Sequence, residues 1–247
     1  MGVDGVSGVD TLVGMVAVAV GALTQGSIGF GFGLIVVPAL GLARPDAVPA
    51  TVLLIAVPMT TWLSLRERGD IDGPGFAVIT LGRLVGTVGG VWLLVAVARD
   101  SLTVLTGVVV VAAVALSWLA PDFEAGRPSR LVAGVVSGVM TTIAAIGGPP
   151  LALVYSDHPR PGAQLRSTLN LAFLVGALLS LAGLLLAGHL RGWHVLLALR
   201  LLPALALGLA VSGRARHWLD RGWLRPAVYA YAAVAGVVVL VRGLLGG

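Results

Sequence analysis

Thr24, Gln25, Gly26 and Ser27 stand directly before three alternating glycines in the segment Gln25-Gly26-Ser27-Ile28-Gly29-Phe30-Gly31-Phe32-Gly33. Glycines at this density allow helix ends and dihedrals that larger side chains avoid. The N–H groups of a helix start, with the helix dipole behind them, attract anions. The nearby hydroxyl and amide side chains add hydrogen-bonding groups. A second place of this kind follows Thr141 and Thr142, at Ile146-Gly147-Gly148-Pro149-Pro150. Its paired prolines lack N–H groups and suit the first turn of a new helix. The chemistry these residues suggest is recognition of a small anion, without bond making. The plainer reading is that the glycines only let helices pack closely.

Arg83 and Arg200 each interrupt an otherwise uncharged apolar stretch, and neither stretch contains an acidic residue. A charge inside a membrane span is costly and turns to a cavity or a partner. A guanidinium in a polar cavity holds an oxyanion through two parallel hydrogen bonds. The competing reading is an arginine that snorkels to the headgroups. A third polar cluster runs from Tyr155 through Asp157, His158 and Arg160 to Gln164, Arg166, Ser167, Thr168 and Asn170. Arg166 and Asn170 are one helical turn apart and share a face. Asn170, the deeper of the two, is a candidate lining residue, while Asp157, His158 and Arg160 read as a solvated loop.

Signals for an enzyme are poor. There is no cysteine, which excludes disulfides, thiolate–zinc sites and thiol chemistry. The histidines at 158, 189, 194 and 217 show no metal-ligand spacing. Neither a nucleophile elbow nor a Walker lysine is present. No catalytic residue, metal site or cofactor is expected, and any transport must run on gradients or diffusion. No carboxylate lies deep in an apolar stretch to carry a proton. A sodium site built from carbonyl and hydroxyl oxygens is the other candidate for a coupling ion.

The elements that must position these residues are membrane spans. Of the 247 residues, 57% are hydrophobic and 11% charged, against roughly 25% charged in soluble domains. The stretch Thr11–Ala43 carries no charge and is longer than the roughly 20 apolar residues that one span needs. A glycine break in its middle is how transporters bring bare backbone to a substrate at membrane depth. Further apolar runs fill nearly the whole chain and leave no room for an extramembrane catalytic domain. The net charge of +5 comes from arginines that flank spans, so it points to orientation in a membrane and not to nucleic acid. Asp4 and Asp10, with no basic residue beside them, do not open a cleaved signal peptide, so the first apolar segment is expected to stay in the membrane.

The order of blocks recurs. A shift of 118 residues lays Ile28-Gly29 on Ile146-Gly147, Thr24 on Thr142, Leu53 on Leu171 and Gly90 on Gly208. Residues 1–120 form a first repeat, 121–130 a polar loop and 131–247 a second repeat. If each interrupted segment turns back on itself, Arg66, Arg68, Arg127, Arg130, Arg160, Arg214, Arg216, Arg221 and Arg225 share one side. Arg44, Arg99, Arg191 and Arg242 then lie opposite. The positive-inside rule favours that arrangement. It makes the halves inverted, puts both termini outside and gives about eight membrane segments in an all-α polytopic protein. Whether each interrupted helix pair is re-entrant or crosses fully stays open.

The run from Gly21 to Pro38 resembles the opening signature of the TauE/SafE sulfite exporter family. Ile146-Gly147-Gly148-Pro149-Pro150-Leu151-Ala152-Leu153 and Arg166-Ser167-Thr168-Leu169-Asn170 are similar to that family's second repeat. The resemblance implies a bacterial cytoplasmic-membrane permease of seven or eight helices for sulfur-containing anions such as sulfite and sulfonates. The expected substrate site combines Thr24, Gln25, Gly26, Ser27, Gly29, Gly31, Thr142, Gly147, Gly148 and Asn170 with Arg83 or Arg200. The expected partners are a small anion and membrane lipid, and no nucleic acid. The rival reading is a non-transporting membrane subunit that packs against other proteins through its small residues.

Overall fold

The computed structural model describes residues 8–67, 71–97, 101–118, 126–155, 162–219 and 224–245. Among them the regular elements are all helical. They are α1 (Gly8–Ile28), α2 (Phe32–Ala43), α3 (Ala50–Arg66), α4 (Gly73–Ala96), α5 (Ser101–Trp118), α6 (Arg127–Ala144), α7 (Gly148–Val154), α8 (Gly162–Leu186), α9 (Gly192–Leu219) and α10 (Leu224–Leu245). Six of these, α1, α4, α5, α8, α9 and α10, are long and apolar enough to cross a membrane. The remaining four fall short for visible reasons. The glycine breaks cut α2 and α7 to 12 and 7 residues, α3 has 17, and α6 carries Arg127 and Arg130 in its first turn. The chain is a multi-pass membrane protein.

Charged contacts sort the helix ends into two groups. At one end Arg130 pairs with Asp72 at 3.4 Å and Arg166 with Glu67 at 3.2 Å, and Arg66 donates to the Ser212 hydroxyl. At the other, Arg44 pairs with Asp46 at 3.4 Å, Arg242 donates to the Leu42 carbonyl, and the His194 ring meets the Asp46 carbonyl. Helices α3 and α9 run from the Asp46 end to the Asp72 end, while α4 and α8 run the other way. Of the arginines counted from sequence, Arg68, Arg99, Arg160 and Arg221 lie outside the described residues, as do Asp157, His158 and residues 121–125.

Each break reverses the chain. Gly14, Gly21 and Gly31 approach Leu40, Val36 and Thr24 respectively, so α1 and α2 form an antiparallel hairpin. The shorter α7 turns back from α6 to Tyr155, whose hydroxyl reaches Asp72 at 3.4 Å. The first helix of each hairpin lies along a long helix from the other half of the chain, α1 on α9 and α6 on α4.

The α4–α6 contact is made by facing small-xxx-small patterns. Gly82, Gly86 and Gly90 sit against Leu131, Val135 and Thr142, and Gly134 and Gly138 against Ile79 and Arg83. A methyl group at Gly134 or Gly138 would come within 2.5 Å of a facing backbone oxygen. The opposite face of α4, with Leu81, Val85, Val88, Trp92 and Val95, is exposed and apolar. Polar residues such as Arg83 and Thr87 are therefore turned inward, as a lipid-facing bundle requires.

Candidate functional site

The first break is organised by Gln25. Gly29 and Gly31 have φ of 89° and 112°, a region open to glycine and strained for other residues. This ends α1 and leaves backbone groups without helical partners in a buried part of the bundle. The Gln25 side chain supplies them. Its Nε2 donates to the Gly29 carbonyl at 3.1 Å, and its Oε1 accepts from the Phe32 N–H at 3.2 Å. Nε2 also reaches Asn170 Oδ1 on α8 at 3.4 Å.

The second break begins at Ala145, a left-handed C-cap with φ of 55°. The Ala145 and Ile146 N–H groups close α6 by donating to the Thr141 and Met140 carbonyls. Pro149 and Pro150 then enter the first turn of α7, where no N–H is needed. The two breaks face one another. A methyl on Gly33 would fall 2.5 Å from the Ala145 carbonyl oxygen, and one on Gly148 would lie 3.5 Å from Phe30 Cβ.

Arg83 reaches the gap between the breaks from α4. It is 1% exposed, the largest side chain in the protein to be so fully buried among the described residues. Its two terminal nitrogens donate to Ser137 Oγ at 3.0 Å and Thr141 Oγ1 at 3.1 Å. The guanidinium carbon lies 5.9 Å from the Phe173 ring centre. Nε is buried without a hydrogen-bond partner, and no described carboxylate pairs with the charge. Ser137 also donates to the Gly147 carbonyl at 2.7 Å, joining the arginine's support to the second break.

A cavity of about 50 Å³ lies here, lined by Gln25, Gly31, Gly33, Arg83, Gly147, Gly148 and Phe173, with Met59 and Thr60 from α3. Of the expected substrate-site residues, Gln25, Gly31, Arg83, Gly147 and Gly148 line it, and Asn170 stands behind Gln25. The others lie elsewhere. Thr24 and Ser27 bond to carbonyls of their own helix, and Gly26 packs on Ser212. Gly29 covers the Arg166 side chain. Thr142 faces Ser180 on α8 at 2.9 Å. Arg200 is exposed on the outer surface of α9.

The family model for the sulfite exporter TauE/SafE matches residues 13–239. The chain belongs to the TauE/SafE family. A curated relative in Cupriavidus necator, named "Probable sulfite/organosulfonate exporter TauE", is 28% identical over 164 residues, covering 63% of this chain and 64% of that protein. The match thus spans less than two thirds of the relative's length. No solved structure matches the chain.

In this TauE/SafE member, several lining or supporting residues carry little signal in the sequence. Ser137 reads as a small residue in a packed helix, and Phe173 as one more apolar side chain. Gly176 is the clearest case, since a side chain there would occupy the position of the Arg83 guanidinium. Only the tertiary approach of α8 to α4 gives that glycine its role.

Proposed function

We propose that the protein is a secondary transporter of the bacterial cytoplasmic membrane, carrying a small sulfur-containing anion of the sulfite or sulfonate class. The observation that carries this reading is Arg83, a buried cation with an unpartnered Nε–H that lines a cavity between two helix breaks. A buried charge without a carboxylate partner is costly, and an oxyanion in the cavity relieves that cost. Gly33 and Leu34 also border the cavity, in the first turn of α2 where amides lack helical acceptors. The volume of about 50 Å³ suits an anion of a few heavy atoms. The family and the relative's name supply the sulfur chemistry.

Alternating access arises from two inverted halves, α1–α5 and α6–α10, that rock about the cavity. The helix pairing supports this. Exchanging the halves turns the α4–α6 contact into α9–α1, α4–α8 into α9–α3, and α10–α2 into α5–α7, and all of these contacts occur. The direction of each helix reverses under the same exchange. The rival reading, a subunit that only packs against partners, has no use for an unpaired guanidinium at its centre.

The test is flux of sulfite into or out of proteoliposomes, beside thermal stabilisation of the purified protein by sulfite. Arg83→Gln removes a charged hydrogen bond of about 1.5–3 kcal/mol, so apparent affinity should fall about ten- to a hundredfold. Arg83→Lys should recover part of it, because it keeps the charge without the planar fork. Arg200→Gln should leave flux unchanged. Sulfite flux at the parent rate in Arg83→Gln, or the absence of any flux or stabilisation in the parent, would refute the proposal.

A further inference from the structure

A second and much larger cavity, about 600 Å³, opens at the Asp46 end. Its wall carries Arg191 and Arg242, together with His189 and Trp193. Asp46, which also borders it, is paired with Arg44. Among the described residues no carboxylate pairs with Arg191 or Arg242, although Arg242 donates to the Leu42 carbonyl at 2.6 Å. Among the described residues the wall therefore presents two arginines without a carboxylate partner. Its floor reaches Thr106 and Ile143. Ile143 is two residues before Ala145, which lines the central cavity. The end of α6 is thus the partition between a small chamber holding Arg83 and a wide chamber holding Arg191 and Arg242.

We infer that the wide chamber is a second binding site for the transported anion, in series with the central one. Its ligand class is the monoanionic oxyanion or sulfonate of the proposed substrate, so the inference rests on the transport reading above. Low-dielectric walls around two like charges concentrate anions at the mouth. Two guanidinium groups then bind the oxyanion through their N–H groups. An anion leaving or approaching Arg83 through this end meets the second pair before bulk water. A site of moderate affinity at each stage lets an ion enter readily and still depart, as conduction through serial sites requires.

Trp193 reports on this chamber. It stacks on His194 with ring centres 3.8 Å apart, and the Arg44 guanidinium lies 4.9 Å from its centre. The experiment titrates purified protein in detergent with sodium methanesulfonate, using sodium chloride at matched ionic strength as the reference. The reading is the fluorescence change that disappears in Trp193→Phe. A saturable change is expected in the parent and in Arg83→Gln. Its apparent Kd should rise at least tenfold in Arg191→Gln or Arg242→Gln taken singly, and further in the double variant. A phosphate headgroup carries the same chemistry, so the titration is repeated in nanodiscs with and without phosphatidylglycerol.

No saturable change in the parent would overturn the inference, whatever the variants do. Loss of the signal in Arg83→Gln would assign it to the central site, and an equal response to chloride would reduce it to screening. Abolition by phosphatidylglycerol would make the chamber a lipid headgroup site. Failure of the transport reading is distinct: the Trp193 signal would persist while proteoliposomes show no sulfite flux. Flux without the signal would refute the second site alone.

Discussion

The Arg83 guanidinium occupies the volume that a side chain at Gly176 would fill. One residue supplies the charge and the other supplies its room, from α4 and α8 respectively. The close α4–α6 contact sets the depth at which the arginine emerges, beside Ser137 and Thr141. The geometry of the site thus depends on glycines that never touch the cavity.

Gly176→Ala should therefore reproduce the loss seen on removing the arginine. The added methyl overlaps the guanidinium, so Arg83 must swing away from its two hydroxyl partners. Sulfite affinity is expected to fall about tenfold or more, for loss of a charged hydrogen bond, while Arg83 and the membrane insertion of the chain are retained. Flux assays beside a measurement of inserted protein check this. Parent-like flux in Gly176→Ala would show that Arg83 needs no such pocket.

Packing glycines and open glycines should separate in stability. Gly86 lies against the Val135 carbonyl, whereas a methyl at Gly73 would meet no atom within 4 Å. Gly86→Val forces α4 from α6 and is expected to destabilise by about 1–3 kcal/mol or more, as overpacking does. Gly73→Ala should stay within about 0.5 kcal/mol. Thermal unfolding in detergent distinguishes the two, and similar midpoints would contradict the close contact.

Both helix breaks are visible in the sequence as glycines in uncharged runs, because few other features explain such a density. Arg83 and Arg200 are equally visible as charges in apolar runs, yet only Arg83 lines the cavity. They stand 117 residues apart, one short of the 118-residue shift, and one residue turns a helix by about 100°. That rotation carries Arg200 to the outer surface, while Leu201, at the full shift, is buried. Thr142 and Thr141 differ by the same rotation, and it is Thr141 that holds the arginine. Composition places a residue at a depth, and only packing decides which way it faces. Gly176 and Ser137 escape notice for that reason.

The ion pair between Glu67 and Arg166 should be coupled to the first break. The Arg166 stem lies under Gly29, with Cγ 2.9 Å from where a Cβ would stand, and its Nε is 3.2 Å from the Glu67 carboxylate. Both side chains are mostly buried, so removing one partner leaves a poorly solvated charge. Glu67→Gln and Arg166→Gln are each expected to lower the unfolding midpoint. The double variant should lose less than the sum, with a coupling of about 0.5–3 kcal/mol. Strict additivity in that cycle would mean that the pair contributes nothing.

Membrane orientation can be tested without removing any native thiol, because the chain has no cysteine. Arg66, Arg130 and Arg166 gather with Glu67 and Asp72 at one end, and Arg44, Arg191 and Arg242 at the other. From the nine-to-four division of flanking arginines in the sequence, the first end is expected in the cytoplasm. Ser129 stands in the first turn of α6 at that end, and Ser101 begins α5 at the opposite one. Both changes to cysteine are nearly isosteric and leave every arginine in place, so they do not disturb the signal under test. A membrane-impermeant maleimide added to intact cells should label Ser101→Cys and spare Ser129→Cys. Inverted membrane vesicles should reverse the pattern. Labelling of Ser129→Cys in intact cells would place the arginine-rich end outside. The wide chamber with Arg191 and Arg242 would then open to the cytoplasm, and the order in which an exported anion meets the two sites would be reversed.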